Sequence, residues 1–243
     1  MPHIGVLIVP PIQLLDLSPI DLLAMTSREY FEACNFPQPL LDIAIPASEL
    51  TITYISHTGP DSLSPTTASV RLAIDAGIDD ERVKPGKLDI LMIPGPPPAM
   101  RPPERVLSWV RAHVEAGVDL LTVCTGAFVA GYAGVLDGKK ASGPRGVLDL
   151  LRKECPGVEW VDKRWVHEGK IWSSGGISNG LDMVAVYLKH RWPGVLSDTV
   201  LTLAEVEPRP IEYGQGKVKW TAWFVYCIAR AWVQGLTGRK KSE

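Results

Sequence analysis

Cysteine is scarce and scattered. The four in 243 residues, Cys34, Cys124, Cys155 and Cys227, form no Cys-x-x-Cys pair, which excludes a zinc knuckle or a disulfide framework and points to a reducing compartment. An excess of charge of one sign is missing too. The 25 Lys+Arg against 27 Asp+Glu leave a formal charge of -2, and the one basic block is Arg239-Lys240-Lys241, so the chain lacks the electrostatic footprint of a nucleic-acid surface. No Gly-x-Gly-x-x-Gly or Walker sequence occurs, and no His/Asp/Glu/Cys spacing suggests a metal site. The apolar run His3 to Val9 is too short for a signal-peptide core and has no basic leader. Trp220 to Leu236 is the one membrane candidate, but Arg230 inside it would cost about 2.5 to 3.5 kcal/mol at a bilayer centre. A cytoplasmic protein with neither nucleic acid nor membrane as partner is expected.

What is present is an ordinary globular composition, 46% hydrophobic and 21% charged, enough to bury a sizeable core. Short continuous apolar runs, typical of strands covered on both faces, recur at Ile4 to Val9, Thr51 to Ser56, Leu88 to Ile93 and Asp119 to Val123. Helical patterns alternate with them. Ser18-Pro19-Ile20-Asp21 offers an N-cap, a proline at the first helical position and an acid three residues after the cap. Pro103 to Ala116, Thr125 to Val135 and Ile177 to Lys189 supply further helices, and Arg164 to His167 against Lys170 to Ser173 reads as a hairpin across Glu168-Gly169. This alternation predicts a doubly wound α/β domain over residues 1–205, its sheet mostly parallel and covered by helices on both faces. Residues 206–243 form a C-terminal helical extension, whose aromatic helix from Trp220 is expected to pack on the same domain or on a partner subunit. Two proline-rich segments, 31–49 and 94–103, read as insertions of the sort that often cover an active site.

The segment richest in chemistry is Asp119-Leu-Leu-Thr-Val-Cys124-Thr-Gly-Ala-Phe-Val-Ala130. An apolar strand runs into Cys124, then Thr125-Gly126, then a helix of small residues, the grammar of a nucleophile elbow. Such a turn projects the cysteine at the carboxyl end of the sheet, where open α/β folds bind ligands, and the helix start favours its thiolate. Read alone, Cys124 is equally a buried cysteine acting as a small hydrophobe. Asp16, by itself, is a loop acid just before a helix.

Cys124-Thr-Gly-Ala followed by Ala133-Gly-Val-Leu-Asp-Gly-Lys-Lys-Ala141 resembles the elbow and following helix of the ThiJ/PfpI superfamily. Gly5 to Val9 with Gln13-Leu-Leu-Asp16-Leu-Ser-Pro19, Asp89 to Gly95, and Arg164 to Asp182 resemble its first strand and loop, its strand ending in Pro-Gly, and its hairpin and last core helix. The resemblance implies a flavodoxin-like fold related to class I glutamine amidotransferases, usually dimeric, and its nearest branch contains isonitrile hydratases. It also implies roles: Cys124 as nucleophile, Asp16 facing it as a proton donor and acceptor, and Thr125 either orienting substrate or water or simply capping the helix. The activity implied is hydration of a small isonitrile to an N-substituted formamide, with no cofactor. The alternatives are a non-catalytic, redox-responsive protein with an exposed low-pKa cysteine and, further off, a glyoxalase or hydrolase. Departures from the superfamily pattern are visible. The positions where other branches carry a histidine read Thr125 and Ala141-Ser-Gly-Pro144, and Gly95 is followed by Pro96-Pro97-Pro98 in place of a second glycine. Proline has no N–H to donate, which leaves Gly95 and the elbow's Gly126 as the expected oxyanion donors.

Overall fold

The computed structural model describes residues 2–238. Seven strands form the main sheet: β1 (His3–Leu7), β2 (Thr51–Ser56), β5 (Ala76–Gly77), β6 (Ile90–Ile93), β7 (Asp119–Thr122), β10 (Trp165–Glu168) and β11 (Ile171–Ser174), in the order β10-β11-β7-β6-β1-β2-β5. Every pairing is parallel except the β10/β11 hairpin, so the sheet is mixed, with its antiparallel piece where the sequence placed it. Two short pairs lie apart, β3 (Leu63–Pro65) with β4 (Arg71–Ala73) and β8 (Lys140–Ala141) with β9 (Glu159–Trp160). The helices are α1 (Ser18–Ala24), α2 (Arg28–Ala33), α3 (Gln38–Leu41), α4 (Glu104–Glu115), α5 (Gly126–Tyr132), α6 (Leu148–Glu154), α7 (Ser178–Arg191), α8 (Val195–Leu203) and α9 (Lys217–Gly238).

Successive side chains of a strand point to opposite faces, and the continuous apolar runs divide accordingly. Leu7 and Val9, Leu91 and Ile93, and Leu120 join one buried cluster with Val106 and Val110 of α4, Phe128 of α5 and Leu148 of α6. Ile4, Val6 and Ile8, Ile90 and Met92, and Leu121 and Val123 join the other with Leu22 and Leu23 of α1 and Met183, Tyr187 and Leu188 of α7. Helices therefore cover both faces, which gives a flavodoxin-like α/β architecture.

Three local expectations need correction. Ser18 is not an N-cap: a 3-10 turn, Leu14–Leu17, runs straight into α1, and the Ser18 hydroxyl donates back to the Leu15 carbonyl at 2.8 Å. Segment 31–49 does not border the candidate site. It folds as α2 and α3 and sends Phe31, fully buried, into the core beside α1 and α7. The segment from Val206 to Ile211 stays with the α/β unit, because Arg209 bonds to Asp182 of α7 and the Ile211 carbonyl accepts from the Arg164 N–H at 2.8 Å. One compact unit ends at Ile211, and a second begins at Glu212. That second unit contains α9, in which the Trp220 and Phe224 rings stack with centroids 5.3 Å apart. No helix among the described residues is long and apolar enough to cross a membrane.

Candidate active site

Three loops meet at the carboxyl ends of the central strands: residues 10–17 after β1, 94–100 after β6, and the elbow after β7. They enclose a cavity of about 260 Å3 lined by Pro11, Ile12, Gln13, Thr67, Gly95, Pro96, Pro97, Pro98, Cys124, Thr125 and Ile177. A larger cleft of about 490 Å3, between Lys189, Asp198 and Glu205, is lined by no cysteine, serine or histidine. Chemistry rather than size therefore selects the smaller cavity. The proline-rich segment 94–103 does wall this cavity, as its composition suggested. Thr67, contributed by the turn between β3 and β4, had no signal in the sequence.

Cys124 occupies the elbow at φ 57°, a left-handed conformation that costs a non-glycine residue energy and persists only where surroundings impose it. The imposing bonds are visible. Val123 N–H donates to Ile93 O at 3.0 Å and Cys124 N–H to Gly175 O at 3.1 Å, which ties the elbow to the ends of both neighbouring strands. Gly126 is required here for space, since a Cβ on it would collide with the Ile93 carbonyl.

Asp16 lies fully buried beneath the nucleophile. Its Oδ2 accepts the Gly95 N–H at 2.9 Å, and Oδ1 has no hydrogen-bond partner. Burial pushes its carboxyl up to about 7, against the pull of the Gly95 N–H and of the Cys124 thiol that donates to it. Burial first, and the Asp16 charge second, push the Cys124 thiol up to about 11, while N–H donation from Ile177 and Thr125 and the Thr125 hydroxyl pull it down. The sequence suggested a helix start favouring the thiolate. The structure reverses that reading, because the helix is short and the thiol is desolvated beside a carboxyl group.

Cys124, Asp16, Thr125 and Gly95 thus come together, but the two glycine N–H groups expected to face an oxyanion are engaged elsewhere. Gly95 donates to Asp16, and Gly126 donates to the Val123 carbonyl at 2.9 Å. The N–H groups that face the sulfur belong to Thr125 and Ile177. Ile177 went unnoticed in the sequence, where only the preceding Gly175-Gly176 marked the turn. Thr125 donates its hydroxyl to the Pro96 carbonyl at 2.5 Å, so the first proline of the triplet serves as an acceptor where it cannot serve as a donor. No histidine lines the cavity. His3 bonds Thr53 at 2.9 Å, His113 is buried against the Val83 carbonyl, and His167 stacks on Trp172.

Comparison with known proteins gives the family and the fold. An isonitrile hydratase of Pseudomonas putida is 30% identical over 213 residues, covering 86% of this chain and 80% of that protein. Among solved structures, an AraC family transcriptional regulator from Pseudomonas putida superposes with a TM-score of 0.67 at 14% identity, covering 84% of this chain and 100% of that one. Drosophila melanogaster DJ-1beta superposes with a TM-score of 0.64 at 15% identity, covering 85% and 98% respectively. At such identities these two structures speak for the fold alone. The pattern of the DJ-1/PfpI family matches residues 23–190, and with the elbow, the mixed sheet and the buried acid in place, the chain belongs to the DJ-1/PfpI family.

Proposed function

We propose that this protein is an isonitrile hydratase, converting R–NC and water to the N-substituted formamide R–NH–CHO. The observation that carries the reading is the pairing of the Cys124 thiol with a buried Asp16 carboxyl group titrating near 7, at the base of a cavity without a histidine. Such a pair holds a proton between sulfur and oxygen at neutral pH, and isonitrile hydration needs a nucleophile and a proton delivered to the same carbon.

In the first step Asp16 takes the thiol proton as the Cys124 sulfur bonds to the terminal carbon of the isonitrile. The same proton then passes from Asp16 to that carbon, giving the thioimidate R–N=CH–S and restoring the carboxylate. Water adds next. Asp16 removes one of its protons, the hydroxyl bonds to the carbon, and the proton goes to nitrogen. Collapse of R–NH–CH(OH)–S expels the sulfur, the hydroxyl proton returns through Asp16 to the thiol, and the formamide leaves. The Thr125 and Ile177 N–H groups stabilise the sulfur wherever it carries negative charge, on attack and on departure.

The cavity suits an uncharged substrate: no Lys, Arg or Glu side chain lines it, and the one acid beside it, Asp16, lies behind Cys124 and Gly95 rather than in the lining. A redox role for an exposed, low-pKa cysteine fits less well, since the thiol is half-buried and pushed upward. The test is incubation with alkyl and aryl isonitriles alongside 2-oxoaldehydes, with formamide followed by NMR and adducts by mass spectrometry. Formamide formation that disappears in Cys124→Ala is the expected result. No formamide from any isonitrile, or equal rates in parent and variant, would refute the proposal.

A further inference from the structure

The turn that gives Ile177 to the nucleophile is not held by regular structure. Ile177 sits at φ 14° and ψ -78° at the entrance to α7, with no side-chain cap, and Gly176 has open space where a Cβ would stand. Yet residues 175–177 hold Cys124 twice: the Gly175 carbonyl accepts its N–H at 3.1 Å, and the Ile177 N–H points at its sulfur. The turn's own bonds, Asn179 N–H to Gly176 O at 2.8 Å and Gly180 N–H to Ile177 O at 3.0 Å, tie it to the first turn of α7, so its place follows from whatever fixes that turn.

Arg209 spans the far side of that turn from the strap 206–211. Its Nε and Nη2 donate to Asp182 Oδ2 at 2.9 and 2.7 Å, and its backbone N–H donates to Asp182 Oδ1 at 3.0 Å. The same Nη2 reaches Ser178 Oγ at 2.9 Å and Asn179 Oδ1 at 3.3 Å, the first two residues of α7 after Ile177. Asp182 itself is buried, with 6% of its side chain exposed. The strap is anchored in turn, since Arg164 N–H donates to Ile211 O and Gly175 N–H to Arg164 O, both at 2.8 Å. A planar guanidinium with several fixed donors can hold a carboxylate and a helix start at once, which an ammonium cannot.

We infer that Arg209, seated on Asp182, is a positioning residue for the nucleophile: it fixes the first turn of α7 so that the Ile177 N–H stays aimed at the Cys124 sulfur. Arg209 does not line the cavity, so it acts through Ile177 and not on substrate. The inference rests on the proposed role of Cys124 as nucleophile, but its test reads the thiol directly and needs no isonitrile.

Iodoacetamide alkylation of Cys124, followed by peptide mass mapping from pH 6 to 11.5, gives the profile of thiolate formation. Loss of one hydrogen bond to a charged sulfur corresponds to roughly a tenfold change in equilibrium. Arg209→Ala should therefore move the profile upward by about one pH unit and slow alkylation about tenfold at pH 8, at a temperature far below its melting point. Arg209→Lys, which keeps the charge on Asp182 but not the fork, should fall between parent and Arg209→Ala. Should Arg209→Ala fail to fold, Arg209→Lys and Ser178→Ala decide, each being expected to raise the profile by a few tenths of a unit. Variants that lower the melting temperature yet leave the alkylation profile on that of the parent would overturn the inference and reduce Arg209 to a strut.

Discussion

The Gly95 N–H donates to Asp16 Oδ2 across 79 residues of sequence at 2.9 Å, inside a pocket from which Asp16 is wholly shielded from water. This bond orients one carboxyl oxygen and leaves Oδ1 without a partner. Burial makes this acid costly to ionise, and the Gly95 N–H offsets only part of that cost.

Gly95→Ala should disable the site. Its added Cβ would lie 2.6 Å from Asp16 Oδ2 and 3.0 Å from the Thr125 nitrogen, and closer still to the Thr125 hydroxyl. Overpacking of this kind costs about 1 to 3 kcal/mol, and the displaced groups are those that move the proton. Formamide production reduced at least a hundredfold is expected, together with a lower melting temperature in calorimetry. Normal turnover in this variant would show that Asp16 and Thr125 need not keep their places.

The stability of Asp16→Asn should depend on pH relative to the parent. The folded carboxyl titrates near 7, above its ordinary 3.8, so the folded chain binds the more protons between those values. Its stabilising contribution is complete below about pH 4 and is lost as pH rises through 7. The difference amounts to roughly 3 to 5 kcal/mol. Asn, which cannot ionise, escapes that loss, so the variant should melt near the parent at pH 4.5 and above it at pH 8. Turnover should fall roughly 100- to 10,000-fold. Melting curves offset equally at both pH values would remove the raised carboxyl.

Cys124 should not be the fastest thiol at neutral pH. With its thiol up near 11, alkylation should climb steadily to about that pH, and exposed Cys34 should be labelled first at pH 7. Asp16→Asn removes the neighbouring negative charge and should bring the Cys124 profile down. Peptide mapping after graded iodoacetamide exposure checks both points, and a Cys124 profile levelling below pH 8 in the parent would contradict the burial argument.

Thr125→Val should separate the hydroxyl's role from that of its shape. Thr125 is 7% exposed, and its loss of the hydroxyl would leave the buried Pro96 carbonyl without its donor, at a cost of about 1 to 3 kcal/mol. Denaturant unfolding should register that cost, and turnover should fall as Thr125 and its N–H shift beside the sulfur. Thr125→Ser should restore both. Equal behaviour of Val and Ser would make the hydroxyl dispensable.

Much of this molecule was legible in the chain because its signals are local. The two-faced apolar runs at Ile4 to Val9 and Ile90 to Ile93 follow from side-chain alternation against helices on both sides, and Cys124-Thr125-Gly126 announces a strand-to-helix turn by composition alone. Helices α6 and α8 and the small strands β3, β4, β8 and β9 were not legible, since seven residues such as Leu148–Glu154 or two such as Lys140–Ala141 are too few for a period to emerge.

The working state of the site belongs to the tertiary structure. Asp16 is an unremarkable loop acid until segments 79 and 108 residues away, at Gly95 and Cys124, exclude water from it and give it a donor and a neighbour. Protonation depends on solvent and on charge at close range, and neither is a property of sequence spacing. The same holds for the donors to the sulfur. Which N–H faces Cys124 was decided by the turn before α7, and that turn is braced by Arg209 on Asp182, two residues to which the sequence assigned no role.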